Sequence, residues 1–403
     1  MAEAGAAGGR DRDRSRRRAW AEVDLGAVRH NAALLRDLAA PAGLCAVVKA
    51  DGYGHGAPAV ARAALEGGAT WLAVAVVDEG VCLRAAGIDA PVLVLAEPPT
   101  DAMAEALAGG LTPTLYSLEG VAAADAAARS AGRVADVHLK VDTGMHRVGA
   151  SPEHVVEVAV AVERAPGLRL AALWSHLSVA DSDDPADRGF TDEQMGRFAD
   201  AAAALEAAGV AVPMSHLANS AGAIAHPAAR LDLVRCGIAL YGEPPSAWAA
   251  EVLAAGAGAG ALRPALTWRA KVSFVRRLPA GARPSYGRRR ALPAAATVAT
   301  VPVGYADGVP RRYFEEGGTV LVGGRPCPLA GAVTMDQIVV DCGPEAEVSV
   351  GDEVVLIGHQ GEAARSATDW AQTLGTISYE VLCGIGARVP RVVVDAGAKE
   401  TGT

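Results

Sequence analysis

The sequence predicts an α/β fold in which a (β/α)8 TIM-like barrel is followed by a C-terminal, mainly antiparallel β domain. From residue 26 to about residue 242, eight short apolar or β-branched runs alternate with amphipathic, alanine-rich segments, which is typical of repeated βα units. Beyond Gly256 the β-type runs follow one another at short spacing, which favours antiparallel pairing. Eight βα units close most naturally into a barrel, with an open doubly wound sheet as the alternative. The glycine-rich turn of residues 51–56 lacks the G-x-G-x-x-G spacing of a dinucleotide fold, so the barrel is preferred.

The individual elements follow from local patterns. The eight barrel strands are predicted at residues 44–49, 71–76, 91–95, 112–115, 136–141, 170–174, 212–216 and 232–240. Helices between them are predicted at residues 28–38, 58–65, 79–86 and 197–208. The C-terminal β runs are residues 266–275, 297–303, 319–322, 337–341, 353–357 and 391–394. One helical insertion is expected there, with Ser366 as its N-cap before Trp370 and Leu374, followed by residues 377–382.

Small residues at 255–260 indicate a linker between the two domains. We therefore predict a disordered basic tail at residues 1–18, a barrel at 19–256, a β domain at 257–395 and a second tail at 396–403. With 51% hydrophobic and 21% charged residues among 403, the chain can bury a large core and is not globally disordered.

Charge and cysteine usage exclude several function classes. The net charge of −9 disfavours a dedicated binder of nucleic acid or of anionic membranes. Neither a membrane-spanning apolar stretch nor a secretory signal is present, so a cytoplasmic protein is expected. The six cysteines form no Cys-x-x-Cys pair and the nine histidines show no zinc-ligand spacing, so we expect reduced thiols and no metal.

The first chemical candidate is Lys49, which directly follows the first predicted barrel strand. Active sites of such barrels lie at the C-terminal ends of the strands. Beside Val47 and Val48, desolvation would lower the pKa of the Lys49 ammonium. The neutral amine could then attack a carbonyl and form a Schiff base. The alternative is a strand-end lysine whose ammonium simply reaches water.

The segments after the seventh and eighth predicted strands point to a phosphate site. They contain Ser220 and Gly222 in one case and Gly237 and Ile238 in the other. Small residues there allow backbone N–H groups to reach phosphate oxygens, and a serine hydroxyl adds a donor. Tight turns are the alternative reading of the glycines. Together with Lys49, this pattern predicts a phosphate-bearing carbonyl cofactor, pyridoxal 5'-phosphate (PLP).

Two further residues suggest which reaction such a cofactor would serve. Arg235, always charged, would keep the pyridine nitrogen unprotonated, which favours proton exchange at Cα over transamination; a structural pair with Asp232 is the alternative. Inverting a stereocentre needs a base on each face of a planar intermediate, and Lys49 can serve one. Tyr286, in a loop that also carries Arg283, Arg288, Arg289 and Arg290, is the candidate for the other, because positive charge stabilises a tyrosinate; an exposed turn tyrosine is the alternative.

Eight motifs in order resemble those of the alanine racemases, which are PLP-dependent enzymes of barrel fold type III. The motifs are VKADGYGHG (48–56), KVDTGMHRVG (140–149), HLANSA (216–221), RCGI (235–238), SYG (285–287), GYADG (304–308), TMDQ (334–337) and ISYE (377–380). The resemblance extends from about residue 19 to residue 394, and the ordered set is far more specific than any one motif.

The resemblance implies a role for individual residues. Lys49 resembles the residue that binds the cofactor covalently and acts as the base toward D-alanine, and Tyr286 resembles the base toward L-alanine. In the family, Tyr286 and Met335 would reach the barrel of the partner subunit in a head-to-tail homodimer. Arg147 and Met335 match substrate-carboxylate contacts. The positions that match cofactor contacts are Tyr53, His176, Ser220, Arg235, Gly237, Ile238 and Tyr379.

Lys140 matches a lysine that is carbamylated in some family members. If Lys140 lies beside Arg147, a carbamate would turn repulsion between two cations into attraction; an ordinary barrel-core lysine is the alternative. The sequence also departs from the family pattern. Ala332 stands where the family usually has an arginine, which would line the substrate passage opposite Asp181, and His146 stands where glycine is frequent.

The function predicted on this basis is interconversion of L-alanine and D-alanine, which would supply D-alanine for peptidoglycan. A racemase for serine or lysine is an alternative, because small pocket changes are worth only about 1–3 kcal/mol. A PLP-dependent decarboxylase of the same fold type is another, although such enzymes carry a glutamate near the pyridine nitrogen rather than an arginine. A non-catalytic PLP carrier resembles the barrel alone, so the β domain argues against it.

Overall fold

The computed structural model describes residues 18–256 and 260–395 and divides the chain into two compact units. One unit consists of residues 27–263, and the other combines residues 18–26 with residues 264–395. The predicted tails lie outside the described residues, apart from Arg18, whose Nη1 donates to the carbonyl of Val272. Among the described residues, no helix has both the length and the apolar character needed to cross a membrane.

The first unit is a barrel. Strand β1 (Ala19–Asp24) belongs to the other unit, and the parallel barrel strands are β2 (Gly43–Val47), β3 (Trp71–Val74), β4 (Val92–Val94), β5 (Thr112–Leu115), β6 (Ala135–Lys140), β7 (Leu168–Trp174), β8 (Ser215–His216) and β9 (Leu233–Cys236). Their order is β8-β7-β6-β5-β4-β3-β2-β9. Backbone hydrogen bonds from Asp232 N to Ser215 O (3.0 Å) and from Arg235 N to Ala218 O (2.9 Å) link the segments of the two end strands. The predicted (β/α)8 architecture is confirmed.

One helix precedes the first barrel strand, and helices follow the barrel strands, as predicted. They are α1 (Leu25–Ala39), α2 (Ala57–Glu66), α3 (Val77–Ala85), α4 (Met103–Ala108), α5 (Leu118–Ser130), α6 (Val155–Arg164), α7 (Pro185–Ala207), α8 (Ser220–Ala225) and α9 (Ala247–Ala255), with 3-10 turns at Pro227–Ala229 and Ile238–Tyr241. In α1, Val28, Ala32, Leu35 and Ala39 recur at helical spacing and are all buried. The predicted strand 232–240 ends early because Gly237 leaves the extended conformation and Ile238–Tyr241 form a 3-10 turn.

Strand β1 does not belong to the barrel, although the predicted barrel began at residue 19. It pairs antiparallel with the first C-terminal strand, Ala21 opposite Trp268, and parallel with the last, Val23 opposite Val393. The boundary at the other end also differs, because the barrel unit continues to Arg263, whose N–H donates to Asn31 Oδ1 at 2.8 Å. Residues 19–24 are not among the predicted strands, and their place in the β domain depends on pairing with segments far along the chain.

The second unit is a β domain with two sheets. Its strands are β1, β10 (Leu266–Lys271), β11 (Phe274–Leu278), β12 (Ala296–Val301), β13 (Thr319–Val322), β14 (Arg325–Pro328), β15 (Ile338–Asp341), β16 (Glu353–Gln360), β17 (Ala363–Arg365) and β18 (Arg391–Val394). One sheet has the order β14-β13-β16-β10-β1-β18 with β17 paired to β16, and the other has the order β11-β12-β15. All these pairs are antiparallel except β1 with β18. The prediction of a mainly antiparallel domain is confirmed.

The single β run predicted at 266–275 is two strands in different sheets, since the chain leaves β10 at Lys271 and enters β11 at Phe274. The predicted helical insertion is present as α10 (Ala367–Leu374) and α11 (Ser378–Cys383), and Ser366 Oγ accepts from Asp369 N at 3.0 Å as the N-cap. The largely aliphatic core of the domain includes an aromatic cluster. Tyr313 stacks on Trp370 at 4.0 Å between ring centroids, and Trp268 lies 5.8 Å from Trp370.

Candidate active site

The segment after β2, Lys49–Gly54, is wound in the left-handed sense. Ala50, Asp51 and Tyr53 have φ angles of 51–53°, a conformation that costs a residue with a Cβ roughly 1–2 kcal/mol. Gly52 has φ +63°, and a Cβ there would also lie 3.3 Å from the backbone of Ala57. The strained turn is held by side chains. Glu79 Oε1 accepts from Ala50 N at 2.6 Å, and Asp51 Oδ1 accepts from Ala57 N at 2.8 Å.

The left-handed turn places Tyr53 beside the segments that follow β8 and β9. The Tyr53 ring packs 4.8 Å from that of Tyr241, whose hydroxyl donates to the carbonyl of Val47. A Cβ on Gly237 would collide with Tyr53 Oη, so the hydroxyl lies directly against the Gly237 backbone. Ser220 Oγ accepts from Gly237 N at 2.9 Å, which leaves its own hydrogen directed elsewhere. The predicted phosphate-site residues are therefore together, with Ile238 buried beside them.

Arg235 lies buried at the centre of the barrel and is hydrogen-bonded to neutral groups. Its Nη2 donates to the carbonyls of Ser175 (2.6 Å) and Leu217 (3.1 Å) and lies 3.3 Å from His176 Nδ1. Burial lowers its pKa to about 10, so the guanidinium remains charged at neutral pH. Asp232, the alternative partner considered from sequence, instead accepts from Ser215 N at 2.7 Å. The positive charge of Arg235 is therefore not neutralised by the carboxylate of Asp232.

Two histidines extend a chain of hydrogen bonds that begins at Arg235. Arg235 Nη1 donates to His216 Nδ1 at 2.9 Å, and His216 Nε2 lies 3.1 Å from His138 Nδ1. Burial lowers the pKa of both imidazoles, to about 3 for His138, and Arg235 lowers both further. Both rings are thus neutral. Because His216 Nδ1 accepts, its proton is on Nε2 and is donated to His138. Sequence reasoning did not select either histidine as a site residue, although His216 opens the HLANSA motif.

Lys140 lies among cations in the same interior. Its Nζ is 4.5 Å from the centroid of Trp174, and Arg235 Cζ is 4.6 Å from that centroid. Burial, then Arg235 and Arg147, lower the pKa of Lys140 to about 7, with Lys49 adding to the effect and Asp142 opposing it. The neutral amine of Lys140 is therefore populated near neutral pH, unlike that of an ordinary lysine. Lys140 is thus coupled electrostatically to both Arg235 and Arg147.

Gln194 of α7 is a further residue that sequence reasoning missed. It is buried, its Oε1 accepts from Ser178 N at 2.9 Å, and its Nε2 donates to the carbonyl of His176 at 3.1 Å and to Thr143 Oγ1 at 3.3 Å. It therefore holds the loops after β6 and β7 together.

The pKa of His176 is far below its usual range because of burial, Arg235 and Lys140.

His146 stands at a left-handed position, with φ +53°, a conformation that glycine adopts most readily. Its Nδ1 lies 3.3 Å from Asp142 Oδ2, so the Asp142 carboxylate supports the histidine in this conformation.

The remaining predicted residues lie in the β domain. Tyr286 is 69% exposed and Met335 is 53% exposed, whereas Tyr379 in α11 is half-buried. Ser285, with φ +66°, is held by a hydrogen bond from its Oγ to the carbonyl of Ala332 at 2.6 Å. Ala332 is buried, and its carbonyl helps to hold the Tyr286 loop through this hydrogen bond.

The arginines near Tyr286 have structural partners. Arg283 Nη1 donates to the carbonyl of Arg288 at 3.0 Å, Arg289 pairs with Glu315, and Arg290 Nη1 donates to the carbonyl of Leu329 at 2.8 Å. These contacts hold the loop in shape. The predicted site residues thus form two groups. The barrel carries Lys49, Tyr53, Lys140, Arg147, His176, Ser220, Arg235, Gly237 and Ile238, and the β domain carries Tyr286, Met335 and Tyr379.

Comparison with known proteins agrees with this arrangement. The family model "Alanine racemase, N-terminal domain" matches residues 23–245, and "Alanine racemase, C-terminal domain" matches residues 265–393. The alanine racemase of Symbiobacterium thermophilum is 46% identical over 375 residues, which are 92% of this chain and 96% of that protein.

Solved structures show the same likeness. The alanine racemase from Bacillus anthracis with bound L-Ala-P superposes with a TM-score of 0.86 at 35% identity, covering 95% of this chain and 96% of that one. A histidine racemase from Leuconostoc mesenteroides superposes with a TM-score of 0.83 at 28% identity, covering 94% and 98%. The predicted resemblance and the prediction of an amino-acid racemase are confirmed, and the chain belongs to the alanine racemase family, a family of isomerases.

Proposed function

We propose that the protein is a PLP-dependent alanine racemase that interconverts L-alanine and D-alanine with Lys49 and Tyr286 as its two bases. The observation that carries the proposal is the environment of Arg235. A buried, charged guanidinium that donates to backbone carbonyls and imidazoles suits a pyridine nitrogen that must stay unprotonated. A decarboxylase of this fold type would place a carboxylate there.

The residues present fit the cofactor. The Tyr53 and Ser220 hydroxyls both lie against the Gly237 backbone, where they would supply hydrogen-bond donors to a phosphate. Ile238, His176 and Tyr379 are assigned to the same cofactor by family likeness. When bound, PLP withdraws electrons from the substrate Cα and so weakens its bond to hydrogen. Lys49, at the end of β2, would hold the cofactor aldehyde through its Nζ.

The chain itself moves the proton. Lys49 Nζ removes or returns the proton on one face of Cα, and Tyr286 Oη does so on the other, so each base is the acid of the opposite direction. Arg147 and Met335 bind the substrate carboxylate. Arg147 suits this role because its forked guanidinium matches a planar anion. It also lies close enough to Lys140 to lower the pKa of that lysine.

Lys140 is proposed to be carbamylated. A neutral amine is the form that attacks CO₂, giving a carbamate and releasing one proton, and the lowered pKa of Lys140 supplies that form at neutral pH. The product is an anion beside Arg147. It attracts the Arg147 guanidinium, which the unmodified ammonium of Lys140 would repel. The carbamate would therefore orient the substrate-binding guanidinium.

The active species is proposed to be a homodimer with a shared site. Tyr286 and Met335, assigned to catalysis and substrate binding, are both largely exposed on the β domain of one chain. A catalytic tyrosine in water is poorly placed for proton transfer, and a partner barrel would exclude that water. Formation of D-alanine for peptidoglycan in the cytoplasm is proposed as its physiological role, on family grounds.

Circular dichroism of L-alanine and, separately, of D-alanine incubated with the protein and PLP tests the activity. Decay of both signals to zero is expected. Decay for serine, lysine or histidine but not alanine would instead assign another substrate. This comparison is needed because a histidine racemase shares the fold, and one fold supports several substrates. Release of CO₂ in place of racemisation would favour the decarboxylase.

Mixing two inactive variants tests the shared site. Lys49→Ala and Tyr286→Phe subunits, allowed to exchange, form heterodimers in which one site carries both substitutions and the other carries neither. If sites are shared, about a quarter of wild-type activity returns, because half of the dimers are mixed and each has one intact site. If each chain builds its own site, no activity returns.

A further inference from the structure

Three segments of the β domain meet at Arg388. Its Nη2 lies 2.8 Å from Asp336 Oδ1, and its Nε lies 3.4 Å from Asp307 Oδ1. Asp307 is buried and Asp336 is exposed. The second oxygen of Asp307 accepts from Gly304 N at 3.0 Å. One guanidinium therefore joins carboxylates from two separate loops, 304–308 and 334–337.

Loop 304–308 also supports loop 334–337 through the backbone. Tyr305 N donates to the carbonyl of Thr334 at 3.0 Å, and Ala306 N donates to that of Met335 at 3.1 Å. A Cβ on Gly304 would collide with both carbonyl oxygens, so the two loops are in direct contact. The position of Met335 thus depends on loop 304–308 and on whatever keeps the two loops together.

The group of Met335 that can bind a carboxylate is its backbone N–H. The side chain carries only a thioether, a weak acceptor, and the carbonyl already accepts from Ala306. That N–H lies one residue before Asp336 in a tight turn, in which Thr334 Oγ1 both donates to the carbonyl of Gln337 (2.8 Å) and accepts from its N–H (3.1 Å). Any shift of Asp336 therefore moves the Met335 N–H.

We propose that Arg388 is a positioning residue for substrate: by bridging Asp307 and Asp336 it sets the Met335 N–H where the substrate carboxylate binds. This inference rests on the proposed function, in which Met335 contacts that carboxylate. Arg388 also neutralises Asp336, whose charge would otherwise repel the substrate carboxylate. Loss of Arg388 should weaken carboxylate recognition in both directions of the reaction.

The experiment compares Arg388→Ala and Arg388→Lys with wild type as PLP-loaded enzymes. Arg276→Ala, which removes an exposed arginine that stacks on Phe274 of the same domain, is the matched control. For Arg388→Ala we expect KM for both alanine enantiomers to rise about tenfold or more, the effect of losing one hydrogen bond to a charged group, with a smaller change in kcat. Arg388→Lys keeps the charge but cannot span both carboxylates, so an intermediate KM is expected.

Two inhibitors separate positioning from general damage. Propionate has the carboxylate of alanine without the amine, and ethylamine has the amine without the carboxylate. The inhibition constant of propionate should rise with KM, and that of ethylamine should stay within about twofold. Equal weakening of both inhibitors, or wild-type KM in Arg388→Ala, would overturn the proposal.

Arg388→Lys decides the matter if Arg388→Ala does not fold, since its ammonium still neutralises the buried Asp307. A wild-type KM and wild-type propionate inhibition in Arg388→Lys would then overturn the proposal. Failure of the proposed function is a separate result, because it would appear as a wild-type enzyme that does not racemise alanine at all.

Discussion

Replacing Gly237 by alanine is predicted to weaken PLP binding roughly 10- to 100-fold without unfolding the protein. The Gly237 φ of −104° is negative, so a left-handed backbone is not what excludes a side chain here; the obstacle is the contact with Tyr53. The new Cβ would lie 2.9 Å from Tyr53 Cζ and nearer still to Tyr53 Oη, whereas real Cβ atoms keep at least 3.0 Å. The hydroxyl must move away, but the Tyr53 ring is buried and packed against Tyr241.

The magnitude follows from what the hydroxyl is proposed to do. A hydrogen bond to a charged group such as phosphate is worth about 1.5–3 kcal/mol, and about 1.4 kcal/mol corresponds to a factor of ten. Tyr53→Phe removes the same bond and should cost the same. Because Gly237→Ala acts through Tyr53, the double variant should be little weaker than either single one.

The assay is titration of the apo-enzyme with PLP, followed by absorbance. Gly196→Ala is the matched control, since it adds the same methyl group to helix α7 where no atom lies within 4 Å. Wild-type PLP affinity in Gly237→Ala, or full additivity with Tyr53→Phe, would refute the reasoning.

Three other variants test the proposed chemistry. Lys49→Ala should abolish the absorbance of covalently held cofactor together with racemisation; retention of both would exclude Lys49 as the attachment site. Tyr286→Phe should keep the cofactor but lower turnover about 10²- to 10⁴-fold, the usual contribution of an acid–base group; near-normal turnover in both directions would reject the two-base assignment. Lys140, with its pKa lowered to about 7, should take up ¹³C-bicarbonate as a carbamate at pH 8, where its amine is neutral, and progressively less below pH 7, where it is protonated. Intact mass and ¹³C NMR should show this adduct in wild type and lack it in Lys140→Arg, whose side chain stays charged.

The barrel and the location of most site residues were readable from the sequence because both depend on local order. Strand and helix periodicity shows in consecutive residues, and a residue that follows a barrel strand must lie at the C-terminal end of the barrel. That rule is enough to place Lys49, Ser220 and Gly237 at one end of the barrel. The fold brings Tyr53, Ser220 and Gly237 into contact there.

Other features were decided only by tertiary structure. Residues 19–24, predicted as the start of the barrel, instead form strand β1 of the β domain, because the sheet that a segment joins depends on neighbours far along the chain. The hydrogen-bonded chain from Arg235 through His216 to His138 joins residues of three strands. The lowered pKa of Lys140 reflects burial among cations contributed by separate segments. The sequence by itself determined the two-domain architecture and the elements on which the proposed site residues lie, because local periodicity and motif order encode both. Which of these residues contact one another, and how their pKa values shift, only the tertiary structure decided. Hydrogen bonding and desolvation depend on distances between residues that are far apart in the sequence.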